Sequence, residues 1–232
     1  MDFDFIPYFN EYEKLALAAD AMFEKIRKEY PDCVKCEVKC ADCCHALFDL
    51  TLIEAIYINH QFNKNFEGKE AEKKALLEKA NRADRQVYKI KKKAFKDLQE
   101  GKEEALILEE MGKERIRCPL LNESDQCDLY EYRPITCRLY GIPTAINGKG
   151  HTCGKSAFKP GEPYPTANMD MIYQRLYTLS DDLIGEIQSR HQKMGELLVP
   201  LSMSLLTVYD EEYLGIDQPG ENKDRDGEKE NA

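Results

Sequence analysis

Apolar residues recur at three- and four-residue steps along most of the chain, which is the spacing typical of amphipathic helices. Pro31 ends the first of these patterns, and Thr51 with Glu54 forms a capping box ahead of the second. No stretch shows the alternation of a half-buried strand. We therefore expect a mainly α-helical protein. The predicted helices cover residues 10–30, 52–62, 69–100, 103–111, 169–187 and 201–206.

The third predicted helix, 69–100, differs from the others because Lys and Glu surround a narrow apolar stripe. Its lysines, concentrated over residues 89–96, are interpreted as a solvated face rather than as a patch for an anionic partner. Residues 217–232 have no apolar stripe and are expected to be a disordered tail. We predict one helical domain over residues 1–216, with a motif region at 33–153 into which helix 69–100 is inserted.

Composition and charge exclude several classes of protein. The chain has 232 residues, 42% of them hydrophobic, and no apolar run is long enough for a membrane helix. Its net charge of −10 argues against nucleic acid as a partner. The first residues are acidic where a secretory signal is basic, so we expect a cytoplasmic protein that does not contact a membrane.

Nine cysteines carry the candidate chemistry. In a reducing cytoplasm, clustered cysteines indicate metal or redox sites rather than disulfides. Thiolates are soft, charged donors that suit zinc and iron–sulfur clusters. A stripe of buried thiols on a helix is the alternative, but it leaves the dispersed cysteines of the second group unexplained. The first group is Cys33, Cys36, Cys40, Cys43 and Cys44, and the second is Cys118, Cys127, Cys137 and Cys153.

Two segments together resemble the YkgJ-type cysteine-cluster family. The first is the quartet Cys36-x3-Cys40-x2-Cys43-Cys44, and the second is Cys118-Pro119 followed by Cys127 and the stretch Tyr130-x-x-Arg133-Pro134-x-x-Cys137-Arg138. The resemblance spans roughly residues 36–153 and implies a zinc- or iron-chelating protein. Cys33 is an addition to the pattern. Flagellin lysine methylases are similar in their cysteine arrangement.

The expected metal ligands are the eight cysteines other than Cys33. They suffice for two four-thiolate sites, or for one site with spare thiols. We expect an iron–sulfur cluster of the [4Fe-4S] type, with zinc as the alternative, because a dense quartet joined by widely spaced cysteines suits a centre larger than one ion. The expected ligands are Cys36, Cys40, Cys43, Cys44, Cys118, Cys127, Cys137 and Cys153.

Other residues near the cysteines have more than one interpretation. His45 and His151 are expected to be ordinary polar side chains rather than ligands. Arg133 and Arg138 either donate hydrogen bonds to sulfur or form salt bridges, and the sequence favours neither.

Two functions follow from this pattern. The first is metal binding with a redox or metal-handling role; the second is an iron–sulfur enzyme of methyl or other group transfer. The spacing of Cys36, Cys40 and Cys43 also matches radical S-adenosylmethionine enzymes, but their barrel strands are missing from the pattern. No catalytic or cofactor-binding residue and no protein partner is assigned. A pocket beside the metal favours the enzyme, and a sealed site favours the binding protein.

Overall fold

The fold is known from a computed structural model that describes residues 3–216, so the predicted tail over 217–232 lies outside the described residues. The described residues form eight α-helices and five short strands, which confirms the mainly α-helical class. The helices are α1 (Ile6–Glu29), α2 (Leu52–Asn65), α3 (Glu70–Gln99), α4 (Glu104–Lys113), α5 (Ile135–Leu139), α6 (Met169–Glu186), α7 (Leu201–Leu206) and α8 (Glu211–Leu214). The strands are β1 (Asp49–Thr51), β2 (Thr144–Ile146), β3 (Lys149–His151), β4 (Ala167–Asn168) and β5 (Leu198–Pro200).

Helix α2 lies at the centre of the core and is buried along nearly its whole length. It packs against α1, α6 and α7. Phe62, Leu52 and Ile53 are fully shielded from solvent, and each such side chain contributes about 1.5–3 kcal/mol through burial. Strand β1 leads into α2 and pairs antiparallel with β5, which leads into α7. The framework on which the cysteine segments rest is therefore a conventional hydrophobic core.

The ends of α1 and α2 show how local sequence and tertiary contacts compete. Helix α1 starts four residues earlier than its stripe predicts, because Pro7 is tolerated in a first turn and Tyr8 and Phe9 are buried. The capping box predicted for α2 forms only in part. The Thr51 side chain caps no backbone N–H, but its hydroxyl donates to the Glu54 carboxylate at 3.5 Å, and the Thr51 backbone N–H also bonds that carboxylate. Glu54 is buried, and its carboxylate accepts a further hydrogen bond from the backbone of α5.

Helix α3 has 30 residues and buries only four of them, as its narrow stripe predicts. Two of these, Ala83 and Val87, form a small second hydrophobic cluster with Ile116. That cluster joins α3 to the segment that carries the second group of cysteines. The charged helix therefore also forms part of the wall around the cysteine site.

The region between residues 115 and 168 contains more regular structure than the sequence predicts. Strand β2 pairs antiparallel with β3 and parallel with β4, and α5 carries Cys137. These strands have two or three residues, which is too short for alternation to be visible in the sequence. Within residues 3–216, no helix combines the length and the apolar character needed to cross a membrane.

Candidate metal centre

The eight cysteines expected as ligands all line one cavity of about 710 Å³. Cys33 does not line it, although it lies only three residues before Cys36. All nine cysteines are free thiols, and each is partly exposed. The fold thus brings the quartet and the dispersed cysteines to one cavity. Cys33, which stands outside the motif, lies outside this cavity.

The quartet is carried by an irregular segment that turns sharply. Lys39 has a φ of 72°, and Cys43–His45 forms a single 3-10 turn. The backbone N–H of Cys118 donates to the carbonyl of Cys44 at 2.7 Å, so the first group is bonded directly to the second. This backbone contact explains how cysteines that are 74 positions apart face the same space.

Cys137 lies at the middle of α5, the short helix that follows Pro134. The first backbone N–H of this helix, on Ile135, donates to Glu54 at 3.1 Å. Tyr12 also donates to the Glu54 carboxylate, at 3.2 Å. Glu54 is only 1% exposed, and burial raises the pKa of its carboxyl although these hydrogen bonds oppose the shift. A buried acid on α2 therefore fixes the helix that presents Cys137.

Arg133 and Arg138 form salt bridges with Asp20 of α1, so the structure favours the salt-bridge interpretation over donation to sulfur. Arg133 lies 3.0 Å from one carboxylate oxygen, and Arg138 contacts the other. Arg138 is buried and also donates to the carbonyls of Glu131 and Arg133. These contacts tie the Arg-Pro-x-x-Cys-Arg stretch to α1 and to its own preceding turn.

Cys36 and Cys153 lie on a second side of the cavity. The thiol of Cys36 donates to the carbonyl of Tyr140 at 3.5 Å. Gly141 follows with a φ of 106°, and a Cβ at this position would collide with the Cys36 sulfur. The thiol of Cys153 donates to the carboxylate of Asp42 at 3.4 Å. A glycine thus makes the space that Cys36 occupies, and an acid within the quartet segment meets Cys153.

The surroundings raise the pKa of six of the eight thiols that line the cavity. Burial, followed by the neighbouring Cys40 and Cys153, raises the pKa of Cys36 to about 11. Burial likewise raises the pKa of Cys118 to about 12 and that of Cys127 to about 11. The pKa values of Cys43 and Cys137 are also raised, the first mainly by its hydrogen bond with Cys44 and the second mainly by burial. A cation that favours thiolates is the natural counterpart of such a cluster.

Two donor pairs have the separation expected of ligands on one tetrahedral ion. For Zn–S bonds near 2.3 Å, neighbouring sulfurs lie about 3.8 Å apart, and a sulfur and a carboxylate oxygen lie about 3.6 Å apart. The Cys43 and Cys44 sulfurs are 4.0 Å apart, and the Cys153 sulfur is 3.4 Å from Asp42 Oδ2. Among residues 3–216, no group of three His, Cys, Asp or Glu side chains converges as a metal site. The donor chemistry and the pairwise spacing therefore fit a metal, and the remaining sulfurs surround the same space.

The two histidines near the cysteines lie away from the cavity. The Nδ1 of His45 hydrogen-bonds the Ala41 carbonyl at 2.9 Å, as in an ordinary partly exposed side chain. His151 is exposed on β3. Neither lines the cavity.

Four residues of the site were not identified from the sequence, namely Asp20, Asp42, Glu54 and Gly141. The sequence could have indicated Asp42, because a carboxylate that lies between two cysteines of the quartet is a possible oxygen donor to a metal. Glu54 was noticed only as a helix cap. Asp20 and Gly141 gave no local signal, because their partners lie more than a hundred positions away.

One protein family matches the part of the chain that carries the cysteines. Residues 33–154 match the CxxCxxCC family, described as “Putative zinc- or iron-chelating domain”. No curated protein and no solved structure matches the chain significantly. The family supports metal binding as the general function of the site. Because the matched segment is more than half of the 232 residues, the chain belongs to this family of zinc- or iron-chelating domains.

Proposed function

We propose that the protein is a metal-binding protein whose cysteines hold an iron–sulfur centre of the [4Fe-4S] type, with zinc as the alternative. The observation that carries the proposal is that the eight motif cysteines line one cavity while Cys33 does not. The proposed ligands are Cys36, Cys40, Cys43, Cys44, Cys118, Cys127, Cys137 and Cys153.

Cys36, Cys40 and Cys153 share a second, narrow cleft, and the charges of Cys40 and Cys153 raise the pKa of Cys36. The sulfurs of Cys43 and Cys44 are 4.0 Å apart. The charge of Cys43 raises the pKa of Cys36 as well as those of Cys118, Cys127 and Cys137. The sulfurs therefore adjoin around the cavity, and the eight cysteines are compatible with two four-thiolate sites or with one site and spare thiols.

Iron is proposed first because the ligands are spread widely around the cavity. Zinc in structural sites usually binds short ligand pairs, whereas a cluster distributes its ligands over a larger volume. When bound, an iron–sulfur cluster accepts and donates single electrons. The chain contributes the thiolates. The salt bridges of Asp20 with Arg133 and Arg138 hold the segment around Cys137 in place.

Serine variants test the ligand set. Cys40→Ser and Cys137→Ser are expected to lose metal and to make residues 118–153 more sensitive to protease, because ligation and local folding are linked. Cys33→Ser is the matched control and should keep the metal content of the unchanged protein. Full metal and protease resistance in both ligand variants would contradict the assignment, as would loss of metal in Cys33→Ser.

The cavity itself favours a second candidate, an iron–sulfur enzyme of methyl or other group transfer. Its volume of about 710 Å³ lies within the range of small-molecule sites, which is roughly 300–1,000 Å³. Away from the cysteines, Phe23, Arg27 and Tyr130 line it with aromatic and charged groups, and Val87 of α3 forms part of its wall.

Equilibrium dialysis with labelled S-adenosylmethionine, a methyl donor, tests this candidate. The metal-loaded protein is expected to bind the label, and Val87→Trp is expected to weaken binding by filling the cavity while sparing every cysteine. Absence of binding by the metal-loaded protein would count against methyl transfer and would leave the metal-binding proposal intact.

A further inference from the structure

Helix α3 presents a row of cations that no acid within residues 3–216 neutralises. Arg82, Arg85, Lys89 and Lys92 are exposed, and none of them forms a salt bridge with another described residue. They recur at steps of three or four positions, so they lie on one side of the helix. The helix therefore carries a continuous strip of unpaired positive charge.

The other lysines of this segment show what a solvated charged face looks like. Each of them forms a salt bridge with an acid of the same chain, and they are Lys91, Lys93 and Lys96. The strip differs, because the only acid between positions 82 and 92 is Asp84, which accepts a hydrogen bond from Ser202 of α7. Like charges at three- and four-residue spacing destabilise a helix. The strip is therefore left without the charge balance that the rest of this segment has.

An apolar row runs beside the cations. Tyr88 is 63% exposed, Phe95 two turns later is 61% exposed, and Leu98 is 49% exposed. Each of the two aromatic residues lies three positions after a cation of the strip, so the two rows adjoin on the helix surface. Exposed apolar side chains that are grouped together mark interaction surfaces. We call the two rows together the α3 face.

We propose that the α3 face binds an acidic segment of a partner protein. The carboxylates of that segment pair with the cations, and its apolar side chains pack on the aromatic row. The face covers about 24 Å of helix from Arg82 to Leu98, which is long enough for several turns of a helical segment. This function goes beyond metal binding and does not depend on it.

Charge determines which class of partner fits. The chain has a net charge of −10, so the α3 face is opposite in sign to the molecule as a whole. A nucleic acid or an anionic membrane is an extended array of negative charge that also meets the negative remainder of the protein, whereas a short acidic segment meets the face alone. A second copy placed symmetrically on the same face would bring two rows of cations together. An acidic segment with apolar side chains is complementary to both rows.

The α3 face lies on the outer side of the wall around the cysteines. Val87 lines the cavity, and Tyr88, the next residue, is on the exposed side of the helix. An α-helix with its side chains is about 10 Å across. A partner bound to the face therefore lies one helix diameter from the space that the cysteines line.

Fluorescence anisotropy with the full chain and two labelled peptides tests the proposal. The first is a synthetic helix-forming peptide with Glu on one side and Leu on the adjacent side, and the second has Ser in place of Leu. The first should bind more tightly, and added salt should weaken binding. Lys89→Gln combined with Lys92→Gln should weaken binding about fivefold. Tyr88→Ser combined with Phe95→Ser should remove the difference between the peptides.

Lys25→Gln combined with Lys28→Gln is the matched control, because it changes the net charge equally at exposed positions of α1. It should bind the first peptide like the unchanged protein. No binding of the first peptide at low salt, or equal weakening in the control, would overturn the proposal. Tighter binding of single-stranded RNA or of phosphatidylserine vesicles, or a dimer that dissociates in the Lys89 and Lys92 variant, would overturn it by assigning the face to another partner.

Discussion

Two regions of the molecule are stabilised in different ways. One is the framework around α2, and the other is formed by the cysteine loops, which are residues 33–48 and 115–158. In the framework, side chains such as Tyr12 and Phe62 are completely buried, and regular helices satisfy the backbone. In the cysteine loops, every cysteine is partly exposed and regular structure is limited to short turns, short strands and the five-residue α5. The loops nevertheless bury apolar side chains such as Leu120, Ile135 and Ile142 in the same core as the framework. The contacts of Asp20 and Glu54 add polar links between the two regions. The comparison indicates that hydrophobic burial stabilises both regions, and we expect bound metal to stabilise the loops in addition.

Removal of metal should separate the two regions most strongly. Chelation is expected to speed amide exchange in the cysteine loops by about a hundredfold or more, because metal binding contributes folding free energy there. Helices α2 and α6 should keep their protection, since their core does not involve the metal. Hydrogen exchange measured by mass spectrometry before and after chelation checks this. Equal acceleration in both regions would contradict the division.

Arg138→Met should lower the free energy of unfolding by about 3 kcal/mol. The substitution leaves Asp20 without its buried partner and removes the donor to the carbonyls of Glu131 and Arg133. Arg27→Met is the matched control, because Arg27 also lines the cavity but pairs with an exposed Glu24. Urea denaturation of both variants measures the difference. Equal midpoints would show that the link between loops and framework contributes little.

Gly141→Ala tests the close approach between the loop backbone and Cys36. The added methyl group collides with the Cys36 sulfur and must be carried at a φ of 106°, so Cys36 should move and metal content should fall. Gly148→Ala introduces the same kind of backbone strain, at a φ of 72°, in open space. Elemental analysis should show metal loss only in the first variant. Equal loss in both would attribute the effect to backbone strain.

The framework is the region that the sequence predicted well. Helices α2, α3, α4 and α6 lie where the apolar stripes indicate them, because a helix that buries one face records that face in its sequence. The exclusion of Cys33 from the expected ligands followed from the family resemblance, and Cys33 is also the cysteine that does not line the cavity. The ligand set itself stays a prediction.

The contacts that position the loops could not be predicted, because they join residues far apart in the chain. Glu54 had the local signature of a capping residue, yet its carboxylate bonds Ile135, which lies 81 positions away. Asp20 appeared to be one acid among many on α1 until the fold placed it between Arg133 and Arg138. Strands β1 and β5 likewise pair between two distant parts of the chain, Asp49–Thr51 and Leu198–Pro200.

Metal affinity should depend on pH in the direction set by the thiols. Burial raises the pKa of Cys36 and Cys127 to about 11, so the thiols are protonated at neutral pH and the metal must displace their protons. Affinity should therefore rise with pH, by about tenfold per pH unit for each proton displaced. Chelator competition at pH 6.5 and 7.5 measures the slope. An affinity independent of pH would contradict thiol ligation.

Metal and acid-labile sulfide analysis of the full chain, purified without oxygen, tests the central claim most directly. We predict iron together with inorganic sulfide, bound tightly enough to survive purification and lost when Cys40 or Cys137 is replaced by serine. Protein that contains no more than trace metal, with its thiols free to react, would contradict the claim that the eight cavity cysteines form a metal centre.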